Sequence, residues 1–294
     1  MPWREAFAAS QWRSHARTRP EAVCRLNLAS IARGMGNHGT WIRVGGAAGL
    51  HTRRIADMTV DMHCHILPGV DDGARDVETS LAMMKASAEQ GVQCMVATPH
   101  FYATRDRVDS FLKRRGAARE ALDARMGPDL PEIVLGAEVA FFRGIGKAEQ
   151  IEALKIEKTD SLLLEMPFRQ WSEEDVDEVQ KLIEERGFNI ILAHIERYMA
   201  MGENGQLVRQ LLEMPVSVQI NAEGLLDWRL RGKLVRMVKN EQVHFLGSDC
   251  HNMGHRAPNL GAGREVIRKK LGQASLDRID RLSEALLFRG DSPV

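Results

Sequence analysis

At 294 residues, with 44% hydrophobic and 27% charged content, the chain has the composition of an ordinary soluble globular protein and room for one barrel-sized domain or two small ones. No apolar run approaches about 18 residues, which argues against a membrane-spanning helix. The formal net charge of zero hides an asymmetry. Of 40 basic and 40 acidic residues, the first 57 positions hold nine Arg, no Lys and three acids, leaving 31 basic against 37 acidic in the remainder. A body of that sign is not a nucleic-acid-binding surface.

Residues 1–57 show no sustained hydrophobic period. Their Arg-rich, acid-poor composition reads as a transit segment or as a basic tail that touches a membrane or partner; the compact apolar core of a signal peptide is missing. The reading adopted is that translation begins at Met58. The first motif-bearing strand starts directly after it, and Lys, absent before, is common from there on. The expected organisation is a poorly structured extension over 1–57 and one domain over 58–294. Cys24, Cys64, Cys94 and Cys250 are scattered and form no C-x-x-C pair, which reads as a reduced, cytoplasmic protein without structural disulfides.

From Met58 strands and helices alternate. Apolar runs predict strands over 59–63, 92–98, 132–137, 161–166, 188–193, 216–221 and 243–247. Helical spacing predicts helices over 77–90, 108–126, 172–186, 204–213, 230–240, 264–271 and 275–288. The third of these opens on Ser172 with Asp175 three residues on, a shortened capping box. Seven strands separated by helices argue for a parallel βα barrel, with an open doubly wound sheet as the alternative. No Gly-rich phosphate loop follows the first strand, which weakens the dinucleotide-binding version of that sheet.

The chemistry lies at the strand ends. His63 and His65 close the first strand; with period 2 they face one way and Cys64 the other, and Asp71 and Asp72 follow. His100 follows the second strand, Glu138 the third, Glu165 the fourth, His194 the fifth, and Asp249 and His251 the seventh. This is the end at which barrel enzymes assemble their sites. A Glu after Leu162-Leu163-Leu164 is costly to bury unless it is paired or bound to metal; the plainer reading of Glu165 is a salt bridge to an arginine. His244 reads as a core histidine, His255 as a surface one, and Cys64 and Cys250 as small packing residues. Imidazole and carboxylate without thiolate suit Mn²⁺, Fe or Zn²⁺ in a multinuclear site.

These motifs, in order, resemble the PHP (polymerase and histidinol phosphatase) family. Within it they resemble the manganese-dependent bacterial tyrosine-protein phosphatases of capsular and exopolysaccharide loci. The segments are 61–73, Thr98-Pro99-His100, Gly136-Ala137-Glu138, Leu164-Glu165-Met166-Pro167, His194-Ile195-Glu196-Arg197-Tyr198 and Ser248-Asp249-Cys250-His251. The resemblance covers Met58 onward. It implies a distorted (β/α)7 barrel holding three metal ions: one on His63, His65, Glu138 and Asp249; a second bridged by Glu138 to Glu165 and His194; a third on Asp72, His100 and His251. In many relatives histidine stands where Asp72 does; aspartate there resembles the tyrosine-phosphatase branch, and Asp71 becomes a loop or supporting residue. Arg197 and Arg256 resemble the family's phosphate-holding arginines, whose paired donors match phosphate oxygens. The implied reaction is phosphoester hydrolysis by metal-activated water, and the implied substrate is an autophosphorylated bacterial tyrosine kinase of the polysaccharide export system. Three rival readings stand beside it. One is a thiol phosphatase, because Cys250 to Arg256 fits C-x5-R. Another is a phosphatase for a small metabolite such as histidinol phosphate. The third is a metal-retaining regulatory protein without turnover.

Overall fold

Each predicted strand is a short apolar run ended by polar residues, and each forms a strand of a parallel sheet in the computed structural model, which describes residues 41–46, 49–54 and 58–288. Within the first 57 positions, β1 (Trp41–Gly46) and β2 (Gly49–Arg54) pair antiparallel. The rest of the expected extension, Cys24 included, lies outside the described residues, and the start at Met58 is not addressed by them.

The body opens with β3 (Val60–Cys64), α1 (Val77–Glu89), β4 (Cys94–Ala97), β5 (His100–Phe101), α2 (Val108–Asp123), β6 (Glu132–Leu135) and β7 (Glu138–Ala140). It continues through β8 (Ser161–Glu165), α3 (Glu173–Glu184), β9 (Asn189–Leu192), α4 (Ile195–Ala200), α5 (Gly205–Glu213) and β10 (Ser217–Asn221). The last elements are α6 (Ala222–Leu226), α7 (Trp228–Lys239), β11 (Phe245–Gly247), α8 (Leu260–Leu271) and α9 (Gln273–Leu287). Neighbours run β3-β4-β6 in one sheet and β11-β10-β9-β8-β7-β5 in the other, every pair parallel.

The second and third predicted strands are each followed, after a short break, by a further strand beyond the predicted bounds, β5 and β7. Pro99 has no N–H for the ladder. Gly136 sits where a Cβ would lie 3.2 Å from Ile156 and 3.3 Å from Thr98. Backbone bonds carry the pairing through the break, Gly136 N–H to Ala97 O at 2.9 Å and Glu138 N–H to Pro99 O at 3.1 Å. The sheet therefore bends without losing its partners and curls. At the other side the first and last parallel strands meet: Asp249 N–H donates to His63 O at 2.8 Å and His65 N–H to Cys250 O at 2.9 Å.

Two cores result. The larger lies between the sheet and its helices. The smaller, on the concave side, joins Val60, Met62, Cys94, Val96, Leu163, Ile191 and Phe245 and is covered by Leu282 and Leu287 of α9. A register shift between Asp61 and Cys64 keeps Met62 in this inner cluster and sends Cys64 to the outer one. Ser172 N–H donates to Asp175 at 2.8 Å, as the capping pattern anticipates. Three helices, α7, α8 and α9, start earlier than their apolar spacing suggested. Asp227 caps α7 by accepting from Arg229 N–H at 2.8 Å. Gly261 and Gly263, which precede the expected helix start at 264, lie inside α8, where a Cβ at Gly263 would come 2.7 Å from Ala222 Cβ; close helix approach, not a chain break, calls for that glycine.

Gly247 ends β11 directly under the histidines: a Cβ there would stand 2.6 Å from His63 Cβ and 2.7 Å from Gln219 Nε2. Gly247→Ala is expected to lower the unfolding free energy by about 1–3 kcal/mol through overpacking, measured by urea denaturation.

Candidate metal centre

The bend and the strand ends bring all nine predicted donors to one mouth. His63 and His65 Nε2 are 3.1 Å apart. Glu138 Oε2 is 3.3 Å from each, and Asp249 Oδ1 is 3.6 Å from the first and 3.4 Å from the second. His194 Nε2 lies 2.8 Å from Glu138 Oε1 and 3.4 Å from Glu165 Oε1. Asp72 Oδ1 is 3.5 Å from His100 Nε2 and 3.6 Å from His251 Nε2. Two proximities depart from the expected partition: His65 also groups with Asp72, His100 and His251, and His100 Nδ1 comes 2.8 Å from Glu138 Oε2. Asp72 is exposed at the rim, whereas Glu138, His63, His65, His194, Asp249 and His251 are buried. His194 and Asp249 hold positive φ, 31° and 53°, rare for residues other than glycine and of the kind that persists where surroundings over-determine the backbone.

Hydrogen bonds at the far ring nitrogen fix which imidazole atom faces the centre. His63 Nδ1 faces Gln219 Oε1 at 3.2 Å, His65 Nδ1 faces Asp71 Oδ2 at 2.6 Å, and His251 Nδ1 faces the Asp249 carbonyl at 3.0 Å. All three partners are acceptors, so each Nδ1 carries a proton and each Nε2 is the atom turned to the centre, a ligand lone pair whenever the ring is neutral. Buried Glu138 Oε2 and His251 Nε2 make no hydrogen bond among the described residues. Electron-rich atoms facing one another at this range are stable only with positive charge between them. Protons supply part of it here. Burial would lower the His65 pKa, but contacts with Asp249, Asp71 and Glu138 outweigh it and raise it well above the usual value. His194 likewise rises to about 9, the pull of Glu138 and Glu165 exceeding the cost of burial. Burial alone would raise Glu138, yet His63, His100 and His194 hold it well below the carboxylate range. Burial, then His65 and Arg256, push His251 down to about 3, so its ring stays neutral. The donor set fits a group of divalent cations taking oxygen and imidazole ligands.

Residues behind the candidate donors brace them, and of these only Asp71 was anticipated from sequence. Gln219 Oε1 also accepts His194 N–H at 2.8 Å, and its amide donates to Asn221 Oδ1 at 2.8 Å. Asn221 Nδ2 donates to Asp249 Oδ2 at 2.8 Å. Strand β10 thus faces no donor of its own to the centre but ties together three from other strands. Asp71 accepts His100 N–H at 2.8 Å besides holding His65. Asp61 accepts Ser248 N–H at 2.8 Å, with burial pushing its pKa up to about 6. The one available signal for Gln219 and Asn221 is the presence of two amides at alternate positions of an otherwise apolar strand.

Arg197 and Arg256 both reach Asp249, at 2.6 Å and 2.8 Å, each through one nitrogen. Glu165 faces His194 rather than an arginine. His244 accepts Val218 N–H at 3.0 Å and is pushed down to about 4 by burial, as befits a core histidine, and His255 is exposed. The C-x5-R loop is not a phosphate cradle. Cys250 is fully buried, and burial drives its thiol far up. The N–H groups of Cys250, His251, Asn252, Gly254 and Arg256 are all used within the segment, on Ser248 Oγ, Arg256 O and Asn252 Oδ1. The next helix starts only at Leu260. Cys64 Sγ bonds to Val96 O on the outer side, and Cys64, Cys94 and Cys250 are free thiols.

A curled parallel α/β sheet with imidazoles, carboxylates and two guanidiniums at the carboxyl ends of its strands defines a class, the metal-dependent hydrolases built on such sheets. Residues 59–286 match the family model for capsular polysaccharide synthesis, CpsB/CapC, and the chain belongs to that family. The tyrosine-protein phosphatase YwqE of Bacillus subtilis is 30% identical over 247 residues, 78% of this chain and 91% of that one. The tyrosine-protein phosphatase CpsB of Streptococcus pneumoniae is 30% identical over 228 residues, 72% of this chain and 91% of that one. A crystal structure from the pair YwqE of B. subtilis and CpsB of S. pneumoniae, described as unique metal-dependent tyrosine phosphatases, superposes with a TM-score of 0.67 at 26% identity, covering 78% of this chain and 94% of that one.

Gln219→Leu keeps the side-chain volume but removes the acceptor shared by His63 and His194. It is expected to weaken Mn²⁺ binding about 10- to 100-fold, read by competition with a fluorescent chelator.

Proposed function

We propose that the chain is a metal-dependent protein-tyrosine phosphatase. The observation that carries the reading is the pair of imidazole Nε2 atoms 3.1 Å apart, facing Glu138 and Asp249, with two guanidiniums on the Asp249 carboxylate. His63, His65, Asp72, His100, Glu138, Glu165, His194, Asp249 and His251 would hold three ions, Mn²⁺ in the first instance, with Fe or Zn²⁺ compatible with the same donors. The bent strands and the contact between the first and last of them support a closed, distorted (β/α)7 barrel as the frame.

Bound ions would supply Lewis acidity and a water acidified toward neutral pH. The protein's own part is positional. Each guanidinium commits one nitrogen to Asp249 and keeps its remaining donors for phosphate oxygens, where they stabilise the charge that redistributes in the transition state. Gln219, Asp71 and the Asp249 carbonyl hold the imidazole protons away from the reacting side. A tyrosyl leaving group, of pKa about 10, departs far more easily than an alkoxide, so a strong general acid is not required. The substrate that fits this reading is a tyrosine-phosphorylated bacterial kinase of the polysaccharide export system, met in the cytoplasm; among the described residues no helix is long and apolar enough to cross a membrane. The relatives' names do not favour the small-metabolite reading.

Chelated protein is expected to release no phosphate from a phosphotyrosyl peptide, Mn²⁺ to restore turnover, His194→Ala to stay inactive and Cys250→Ala to stay active. Full activity in protein shown by elemental analysis to be metal-free would refute the reading. Arg197→Ala and Arg256→Ala are each expected to lower kcat about 10²- to 10³-fold, measured by steady-state kinetics on the same peptide.

A further inference from the structure

Four large apolar side chains stand exposed among the described residues: Phe168, Leu226, Trp228 and Met253. All follow the carboxyl end of a strand, β8, β10 or β11, but only Phe168 packs its ring on a donor of the metal centre. It lies on the His194 imidazole, centroids 5.8 Å apart and planes at 25°, and 5.5 Å from the Tyr198 ring. One face is thereby covered, yet 54% of the residue remains exposed.

The loop carrying Phe168 is braced from several sides. Trp171 Nε1–H donates to Pro167 O at 2.9 Å and Trp171 N–H to Asn204 Oδ1 at 2.8 Å. Asn204 Nδ2 donates to Arg169 O at 3.0 Å, and the Arg169 guanidinium grips both Asp175 oxygens at 2.7 and 2.8 Å. Trp171 and Asn204 are themselves buried. A loose loop would fold an exposed phenyl ring back onto apolar surface; here both neighbours of Phe168 are anchored and the ring is held out at the mouth. Two other aromatic rings lie against a donor: Tyr198, 5.6 Å from the His194 ring, is fully buried, and Tyr102, 5.2 Å from the His100 ring, also has the Arg105 guanidinium 5.2 Å from its own centroid. Among the described residues no such cation lies over Phe168.

We infer that Phe168 is the platform on which the tyrosyl ring of the substrate stacks, making it a specificity-determining residue for aryl over alkyl phosphate esters. The inference rests on the phosphatase reading above. A phosphate held by Arg197 and Arg256 at the donors would bring its ester group out past His194, where the uncovered face of Phe168 offers an offset-stacking partner that a flat leaving group can use and a seryl chain cannot.

The test uses the full-length Mn²⁺-loaded protein, its metal content measured for every variant, and calorimetric dissociation constants for phenylphosphonate and methylphosphonate. Both present the same phosphonate; only one has a ring. The unaltered protein is expected to prefer the phenyl compound. Phe168→Ala is expected to reduce that preference about three- to tenfold, and Phe168→Trp to retain it. A preference unchanged in Phe168→Ala, or absent from the unaltered protein, overturns the inference. Impaired folding or metal loading weakens both ligands together and leaves the ratio in place, which counts against the platform. Turnover of a phosphotyrosyl peptide by the unaltered protein is measured separately: its failure sinks the phosphatase reading, whereas the phosphonate ratio judges Phe168.

Discussion

Ligand nitrogens and oxygens directed at one another organise this molecule. His63 Nε2 and His65 Nε2 each lie within 3.6 Å of the other, of Glu138 Oε2 and of Asp249 Oδ1, and nothing in the protein's own uncharged chemistry makes that favourable. The arrangement survives because the fold over-determines it. The far nitrogens are locked by acceptors, the carboxylate of Asp249 is gripped by two arginines and an asparagine, and two backbone positions take unusual conformations. In the protein without metal, protons on His65 and His194 carry part of the balancing charge. Cation binding must then displace protons, so affinity falls as pH is lowered.

The bend in the sheet serves the same end. If strands 92–98 and 132–137 ran straight, His100 and Glu138 would continue their ladders as ordinary strand residues. Pro99 and Gly136 interrupt both strands at the same level, and β5 and β7 resume with His100 and Glu138 as their first residues, in register with each other. Glu138, within 3.3 Å of His63, His65, His100 and His194, therefore sits directly after the bend. Covalent geometry at one proline and one glycine thus feeds directly into the electrostatics of the centre.

The convergence of the candidate donors was legible in the sequence because all but Asp72 lie at or just past the end of an apolar strand, a place where water-seeking side chains need a reason to be; Asp72 came only from the family resemblance. Period-2 alternation separated His63 and His65 from Cys64 correctly, although a register shift lies in that very strand. The bracing residues were less legible. Gln219 and Asn221 lie within a buried strand, and a polar side chain there is equally consistent with any satisfied hydrogen bond; only the positions of β9 and β11 on either side reveal what it holds. Gly263 was misread for a related reason, since spacing along the chain does not disclose that Ala222 packs against it. Phe168 gave no signal at all, because exposure and stacking are properties of tertiary structure.

The last helix has a consequence for how the domain can be rearranged. Leu282, Leu287 and Phe288 of the α9 region share a cluster with Met58, whose N–H reaches Glu284 at 2.8 Å. The two ends of the body therefore lie side by side on the floor of the curled sheet, opposite the mouth. Joining 288 to 58 through a short linker and reopening the chain in an exposed loop between helix and strand preserves every strand neighbour, so the connectivity of this fold is one order among several that its packing supports.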